Sequence, residues 1–202
     1  MLKRANSLSE AFMGGFGITR DGLMSLIKKH VTSGNLLKHC LATEAVISKV
    51  AERLGEDASL WGLVGLAHDI DFDETKDEPS RHTLMGAEIL RSHGVDEECI
   101  KAIISHNEET PGWKPRTSKL EHALAASEAI TGLVVATALV MPDKKLSSVK
   151  PKSVKKRMKM TAFARNVDRN AIRECEMIGI PLEEFCTLAV EAMQGISEEL
   201  GL

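Results

Sequence analysis

The sequence predicts an all-α fold: a helical bundle followed by a helical extension toward the C-terminal end. Apolar residues recur at the i, i+3, i+4 spacing of helices through most of the chain. No run of alternating β-branched residues indicates a strand. At 202 residues the chain is long enough to bury one core. We therefore expect a single domain, with the bundle at about 20–142 and the extension at about 143–202.

Six helices are predicted before residue 142, each bounded by capping residues, glycine or proline. The first is short and covers 21–30. The second has Asn35 at its N-cap and an apolar stripe that runs to about Leu54. The other four are expected to begin near Ser59, near Ser80 or Thr83, near Asp96 and at Ser118, and the last of them to reach about Met141.

The last third of the chain differs in composition. Residues 144–159 contain eight Lys or Arg and no acid, and two helices are predicted to follow, at about 166–178 and 181–200. A solvated connector is the favoured interpretation of the basic segment. Lys155 and Arg157 within it are nevertheless candidates for contacting a substrate phosphate.

Composition excludes several classes of function. A net charge of −3 gives no global attraction to nucleic acid or anionic membranes, and with 3% aromatic residues a base-stacking surface is not expected. The four cysteines are widely spaced, which predicts reduced core residues. The N-terminal residues contain no signal-peptide pattern, so we expect a cytoplasmic protein. The apolar run 123–141 is interpreted as a buried helix and not as a membrane span.

Several histidines and acids lie on apolar helical faces. His39 shares the apolar stripe of the second helix, His68-Asp69 ends the apolar third helix, and His106 follows an inward isoleucine by three residues. Glu128 is the one charged residue between 123 and 141. A buried carboxylate is costly unless it is paired or binds a cation.

Each of these residues also has a purely structural explanation. A single inward histidine is more often a hydrogen-bonded core residue, and a buried acid can pair with Lys or Arg. Taken together, imidazole and carboxylate are ligand types that suit a divalent metal, and helical bundles commonly build such sites from facing helices. The pattern by itself therefore predicts a metal site but no particular reaction.

The segments around these residues resemble the HD superfamily of metal-dependent phosphohydrolases. The resemblance rests on the order His, His-Asp, helical acid, and covers roughly residues 25–141. It implies a helical bundle that hydrolyses a phosphate ester, as a phosphatase or phosphodiesterase, with a nucleotide or similar small molecule as substrate. The segments that carry it are LLKHCLATEAV, WGLVGLAHDIDFD, RHTLMGAEIL, AIISHNEE and ALAASEAITGL.

The resemblance also implies the metal ligands. The family's first three ligands match His39, His68 and Asp69, and Glu128 takes the place of the fourth, which is normally an Asp. Some members hold a second ion, whose two further ligands match His82 and His106. Asp69 would then bridge the ions. The implied cofactor is one or two divalent ions, with Mn, Fe, Ni, Co, Zn and Mg as the alternatives.

The catalytic roles follow from the same resemblance. A metal-bound water would attack phosphorus, with Asp69 orienting the nucleophile and Asp71 or Asp73 giving a proton to the leaving oxygen. In the superfamily's bacterial deoxynucleotidase members a Glu three residues after the His-Asp pair assists catalysis, whereas this chain has Phe72 there. Arg81 is a further candidate for contacting the substrate phosphate.

Two other classes of function stay open. One is a non-catalytic module of the same fold that binds a metal or ligand, and the other is a metal-dependent hydrolase or oxygenase of non-phosphate substrates. The expected partner is a small-molecule phosphate ester, with no membrane and no specific nucleic acid. A homo-oligomer is possible.

Overall fold

The computed structural model describes residues 14–202, which form helices joined by turns and contain no strand. This confirms the all-α prediction. The α-helices are α1 (Arg20–His30), α2 (Gly34–Leu54), α3 (Ala58–Ala67), α4 (Phe72–Thr75), α5 (Leu84–Ser92), α6 (Glu97–His106), α7 (Lys119–Leu139), α8 (Pro151–Arg157), α9 (Arg169–Arg173), α10 (Leu182–Gly195) and α11 (Ser197–Leu200). Short 3₁₀ segments cover Gly14–Phe16, Pro79–Arg81, Leu146–Ser148 and Glu174–Ile178.

Side-chain caps fix where the main helices start. Ser33, Asp57 and Ser118 each accept a backbone N–H in the first turn of α2, α3 and α7, which satisfies a donor that has no partner within the helix. The N-cap of α2 is Ser33 and not Asn35, so the sequence prediction was two residues late. The reason is a tertiary contact, because Asp73 accepts a hydrogen bond from the Ser33 backbone N–H at 2.8 Å.

Helices α2 and α3 pack closely because α3 presents a glycine to α2. A Cβ atom added at Gly65 would lie 2.7 Å from Ile47 Cγ2 and 3.1 Å from the backbone carbonyl of Thr43. Only a residue without a side chain fits at this contact. The close approach sets the end of α3, next to His68, against the first half of α2, which carries His39.

Helix α7 runs through the centre of the protein and contacts α2, α3, α6, α8, α9 and α10. It is long and apolar enough to cross a membrane, and among the described residues it is alone in this. However, 67% of its most apolar window is buried inside the protein, and the core helix of a soluble protein meets the same criteria of length and composition. Its packing is that of a core helix.

The C-terminal helices share the core of the bundle. Helix α10 packs against α2 and α7, and α9 packs against α7. The helix predicted at 166–178 is in fact α9 followed by the 3₁₀ segment Glu174–Ile178, and the one predicted at 181–200 is divided into α10 and α11. The four cysteines are buried and free, in agreement with their prediction as core residues.

Candidate metal centre

Five side chains form one cluster, which consists of Asp69 and four histidines from separate parts of the chain. His39 lies in the second turn of α2, His68 is the C-cap of α3, and His106 is the last residue of α6. His82 follows the 3₁₀ turn Pro79–Arg81. The His39 side chain is 28% exposed and the other four are 10% exposed or less, so the cluster opens to solvent on the His39 side.

The Asp69 carboxylate divides the four histidines into two pairs. Its Oδ2 atom lies 3.6 Å from His39 Nε2 and 3.4 Å from His68 Nε2. Its Oδ1 atom lies 3.2 Å from His82 Nε2 and 3.4 Å from His106 Nε2. One carboxylate oxygen therefore faces each pair, which is the arrangement of a carboxylate that bridges two cations.

The spacing within each pair fits ligands of a single ion. His39 Nε2 lies 3.1 Å from His68 Nε2, and His82 Nε2 lies 3.2 Å from His106 Nε2. Ligand atoms at a bond length of about 2.1 Å from one metal are separated by roughly 3.0–3.5 Å. Each pair, together with its Asp69 oxygen, therefore forms a three-atom face of the right size for a divalent ion.

The second ring nitrogen of every histidine is held by a neighbouring acceptor. A carbonyl oxygen can only accept, so in His68 and His106 the proton sits on Nδ1 and the Nε2 lone pair points into the cluster. Two lone pairs facing each other at about 3 Å repel unless a proton or cation lies between them. The four Nδ1 contacts are His68 to Gly65 O at 2.8 Å, His106 to Ile103 O at 2.6 Å, His82 to Asp71 Oδ1 at 2.9 Å and His39 to Thr131 Oγ1 at 3.0 Å.

The electrostatic environment keeps most of the cluster in its ligating form. Burial lowers the pKa of His68 to about 3, against the opposing charge of Asp69, and burial also lowers the pKa of His39. Burial would raise the pKa of Asp69, but the surrounding histidines hold it well below its usual value. For His82, burial is outweighed by hydrogen bonds to Asp69 and Asp71, which raise its pKa to about 9. His82 must therefore release a proton to bind a cation.

Glu128 lies beside the cluster but outside both three-atom faces. Among the described residues, the two groups with metal-ligand spacing contain the four histidines and Asp69, and Glu128 belongs to neither. Burial, together with the charge of Asp69, raises the pKa of Glu128 to about 8, while Arg116 opposes the shift. Two acidic groups in one buried region are electrostatically unfavourable until a cation offsets them.

The structure places Asp71 behind His82, in a position that supports this histidine, and its predicted role as a proton donor stays a prediction. Its side chain is fully buried. Oδ1 accepts from His82 Nδ1, and Oδ2 accepts from the backbone N–H of Gly86 at 2.7 Å. Both oxygens are therefore engaged within the protein, and the residue orients His82.

Asp73 also has a contact that its sequence position did not reveal. Its Oδ2 atom accepts hydrogen bonds from the Thr32 backbone N–H at 2.7 Å, the Thr32 hydroxyl at 2.9 Å and the Ser33 backbone N–H at 2.8 Å. These bonds hold the pKa of Asp73 below its usual value. They engage it at the start of α2, and its predicted role as a proton donor stays a prediction.

The three basic residues predicted to meet substrate are engaged elsewhere. Arg81 is largely exposed and pairs with an acid on its own turn. Lys155 donates to Glu183 at 2.6 Å, and Arg157 lies over the ring of Phe163. Among the described contacts none of the three reaches the cluster, and their contact with a substrate phosphate stays a prediction.

Sequence reasoning missed the contact of Thr131 with His39 and the unusual backbone of Thr83, which it named only as a candidate helix start. Thr131 donates its hydroxyl proton to the backbone carbonyl of Glu128 at 2.7 Å and therefore accepts from His39 Nδ1. Thr83 is fully buried next to His82 with φ +71° and ψ −30°, a conformation that β-branched residues rarely adopt. Neither feature has a local sequence signal, since each depends on packing between distant segments.

Comparison with known proteins agrees with this geometry. The HD domain family matches residues 36–133, a span that contains all five cluster residues and Glu128. No solved structure matches the chain significantly.

Three of the similar curated proteins are bacterial enzymes named Ribonuclease Y. The protein of Nitratidesulfovibrio vulgaris is 33% identical over 100 residues, and that of Aquifex aeolicus is 35% identical over 100 residues; each alignment covers 50% of this chain and 18% of the relative. The protein of Thermotoga maritima is 31% identical over 111 residues, which cover 54% of this chain and 22% of the relative. The matched segment thus spans about a fifth of each relative's length. Residues 36–133 of the chain therefore form an HD domain, the domain that gives its name to a superfamily of metal-dependent phosphohydrolases.

Proposed function

We propose that this protein hydrolyses a phosphate ester or diester with a pair of divalent ions. His39, His68 and Asp69 would hold one ion, and Asp69, His82 and His106 the other. The observation that carries the proposal is the convergence of four Nε2 atoms on the two oxygens of Asp69, while every Nδ1 atom is held by another partner.

The chain's own residues explain how such a centre would work. Divalent ions bound here would supply hydroxide near neutral pH and offset the charge of a phosphoryl group. Asp69, with one oxygen toward each histidine pair, would fix the separation of the two halves. Glu128, half-buried and near Asp69, would complete the ligand set or orient the nucleophile, as the match to the family's fourth ligand suggests.

A cavity of about 390 Å³ adjoins the accessible side of the cluster. Its lining includes His39 and Thr131, the polar side chains of Asn35 and Lys38, and apolar residues of α7 and the C-terminal end. This volume is within the range of small-molecule sites. Lys38 gives the cavity a cation that could meet a phosphate, which supports a small phosphate ester as the substrate class.

A phosphodiester in RNA is the second candidate substrate. The similar curated proteins are named Ribonuclease Y, and an RNA linkage has the same reacting group as a small diester. The chain matches about a fifth of those proteins, so this substrate is a proposal to be tested beside the first.

The test compares metal-loaded wild-type protein with three variants. His68→Ala and Asp69→Ala each remove a group from the cluster, while His93→Ala removes an exposed histidine at the end of α5 and is the matched control. Substrates are p-nitrophenyl phosphate, bis-p-nitrophenyl phosphate, nucleoside monophosphates and a short RNA. We expect wild-type and His93→Ala protein to hydrolyse at least one class, and the cluster variants to lose more than about 100-fold.

Two other outcomes of this assay would contradict the proposal. A metal-loaded wild-type protein with no activity on any of these substrates would favour a binding module or a non-phosphate substrate. Equal activity in all four proteins would remove the proposed site.

A further inference from the structure

The loop between α6 and α7 folds back onto the end of α6 and binds its last two carbonyl groups. Trp113 Nε1 donates to the carbonyl oxygen of Ser105 at 2.8 Å, and Arg116 Nη2 donates to that of His106 at 3.3 Å. Carbonyl groups at a helix C-terminus have no partner within the helix and carry its negative dipole end. A guanidinium is therefore well suited to bind there.

Arg116 is itself held firmly from the C-terminal part of the chain. Its side chain is only 4% exposed. Nη1 lies 2.5 Å from Glu174 Oε1 and 3.1 Å from an oxygen of Glu108. The other oxygen of Glu174 accepts from His122 Nδ1 at 2.8 Å. The guanidinium carbon also lies 5.6 Å from the centre of the Trp113 ring. Arg116 thus connects the 3₁₀ segment Glu174–Ile178 to the end of α6.

The residue at the end of α6 is a cluster histidine. His106 has its Nδ1 fixed by Ile103 one turn earlier in the same helix, so its ring direction depends on the backbone of that last turn. The last turn of a helix frays unless its carbonyl groups are bound. Without Arg116, the turn that places His106 Nε2 relative to Asp69 and His82 would lose the partner of its last carbonyl group.

We propose that Arg116 is a positioning residue for the His82–His106 half of the cluster, held in place by Glu174 from the C-terminal helices. This inference rests on the metal centre proposed above. It gives the C-terminal part of the chain a role in that centre, because a helix that contributes no ligand determines how firmly His106 is placed.

The experiment measures binding of two Mn²⁺ ions by calorimetry in the full chain. We expect Arg116→Met to weaken binding of the ion at the His82–His106 half by about 10- to 100-fold, the usual effect of removing a group that supports a metal-ligating histidine. The other ion should bind with wild-type affinity. Arg116→Lys, which keeps the charge, should restore part of the loss. Glu174→Gln is a milder change and should reduce the affinity for the same ion by a smaller factor.

The matched control is Arg53→Met. Like Arg116, Arg53 joins the bundle to the C-terminal helices through an ion pair, here with Glu184 of α10 through two nitrogen atoms, and its side chain is more exposed than that of Arg116. It lies fourteen residues after His39 on α2, about 20 Å along the helix. Arg53→Met should bind both ions as the wild type does.

Amide exchange gives a readout that needs no metal. In Arg116→Met the amides of the last turn of α6 should exchange faster than in wild-type and Arg53→Met protein. Wild-type Mn²⁺ affinities and wild-type exchange in Arg116→Met would overturn the inference. A wild-type protein that binds no metal would instead overturn the proposed function, and the exchange measurement would still decide whether Arg116 fixes the turn.

Discussion

The carboxylate of Asp71 lies directly behind His82, with its Oδ1 atom 2.9 Å from His82 Nδ1 and its Oδ2 atom bound to the backbone of Gly86. This contact fixes the ring so that Nε2 faces Asp69, 3.2 Å away. Carboxylates behind metal-ligating histidines orient the ring and raise its basicity. The pair Asp71–His82 therefore has the geometry of an acid that supports a ligand.

The first prediction concerns Asp71→Asn. The amide keeps the shape of the side chain but removes the negative charge behind His82, so we expect one of two Mn²⁺ ions to bind about 10- to 100-fold more weakly. Titration of apoprotein followed by calorimetry measures this. Unchanged affinity for both ions would show that Asp71 does not support a ligand.

The second prediction concerns Thr131, whose hydroxyl accepts from His39 Nδ1. Thr131→Val keeps the volume but leaves that N–H without its acceptor, and we expect about 10-fold weaker binding of the ion at the His39–His68 half. Thr137→Val is the control, because Thr137 is equally buried on α7 and its hydroxyl bonds only to Leu133 O among the described residues. Equal losses in the two variants would contradict the prediction.

The third prediction uses the pKa of Asp73, which hydrogen bonds from Thr32 and Ser33 hold below its usual value of 3.8. Because the folded-state pKa is depressed, the stabilisation is complete above about pH 3.8 and is lost as the pH falls through the folded-state value. Asp73→Asn should therefore be less stable than wild type at pH 7, by about 1–2 kcal/mol, and the difference should shrink in acid below pH 3.8. Urea unfolding across this range tests it, with the exposed Asp77→Asn as control.

The fourth prediction is that metal stabilises the fold. An ion present at a hundredfold excess over its Kd contributes about 2.7 kcal/mol, which corresponds to a rise of about 5–10 °C in Tm for a chain of this size. Thermal unfolding with and without chelator should show this difference in wild-type and His93→Ala protein. In His68→Ala the difference should be much smaller, and a chelator effect of wild-type size there would place the metal elsewhere.

The fifth prediction concerns the contact between α2 and α3. Gly65→Ala would place a Cβ atom 2.7 Å from Ile47 Cγ2, and the helices must separate to accept it. We expect a loss of about 1–3 kcal/mol in the free energy of unfolding, measured by urea titration. Gly195→Ala is the comparison, because an added Cβ there meets no described atom within 4 Å.

Much of the fold was predictable because its causes are local. The apolar stripe of α2 and the capping box at Ser118, which begins α7, are formed by residues close together in the sequence. Both helices lie where the periodicity predicts them. The start of α2 was misplaced because Ser33 and Asn35 are both good caps. The choice between them depends on Asp73, forty residues away along the chain.

The same distinction applies to the site. Residues 39, 68, 69, 82 and 106 carry chemistry that the sequence shows, and the structure brings them together. Their supports are invisible locally, because Asp71 in the sequence is simply one acid among several after the His-Asp pair. Its function as the partner of His82 depends on how the segment 70–86 folds back on itself.

At Thr83 the stability of the fold and the positioning of the neighbouring His82 make opposite demands. A threonine at φ +71° resists its own backbone conformation by about 1 kcal/mol or more, and glycine would adopt that conformation freely. Thr83 directly follows His82, and glycine would also remove its hydroxyl, which lies 3.1 Å from the hydroxyl of Thr110. Selection for thermal stability alone would therefore favour glycine at this position. The resulting variants would be more stable, but the orientation of His82 in them would be less well defined.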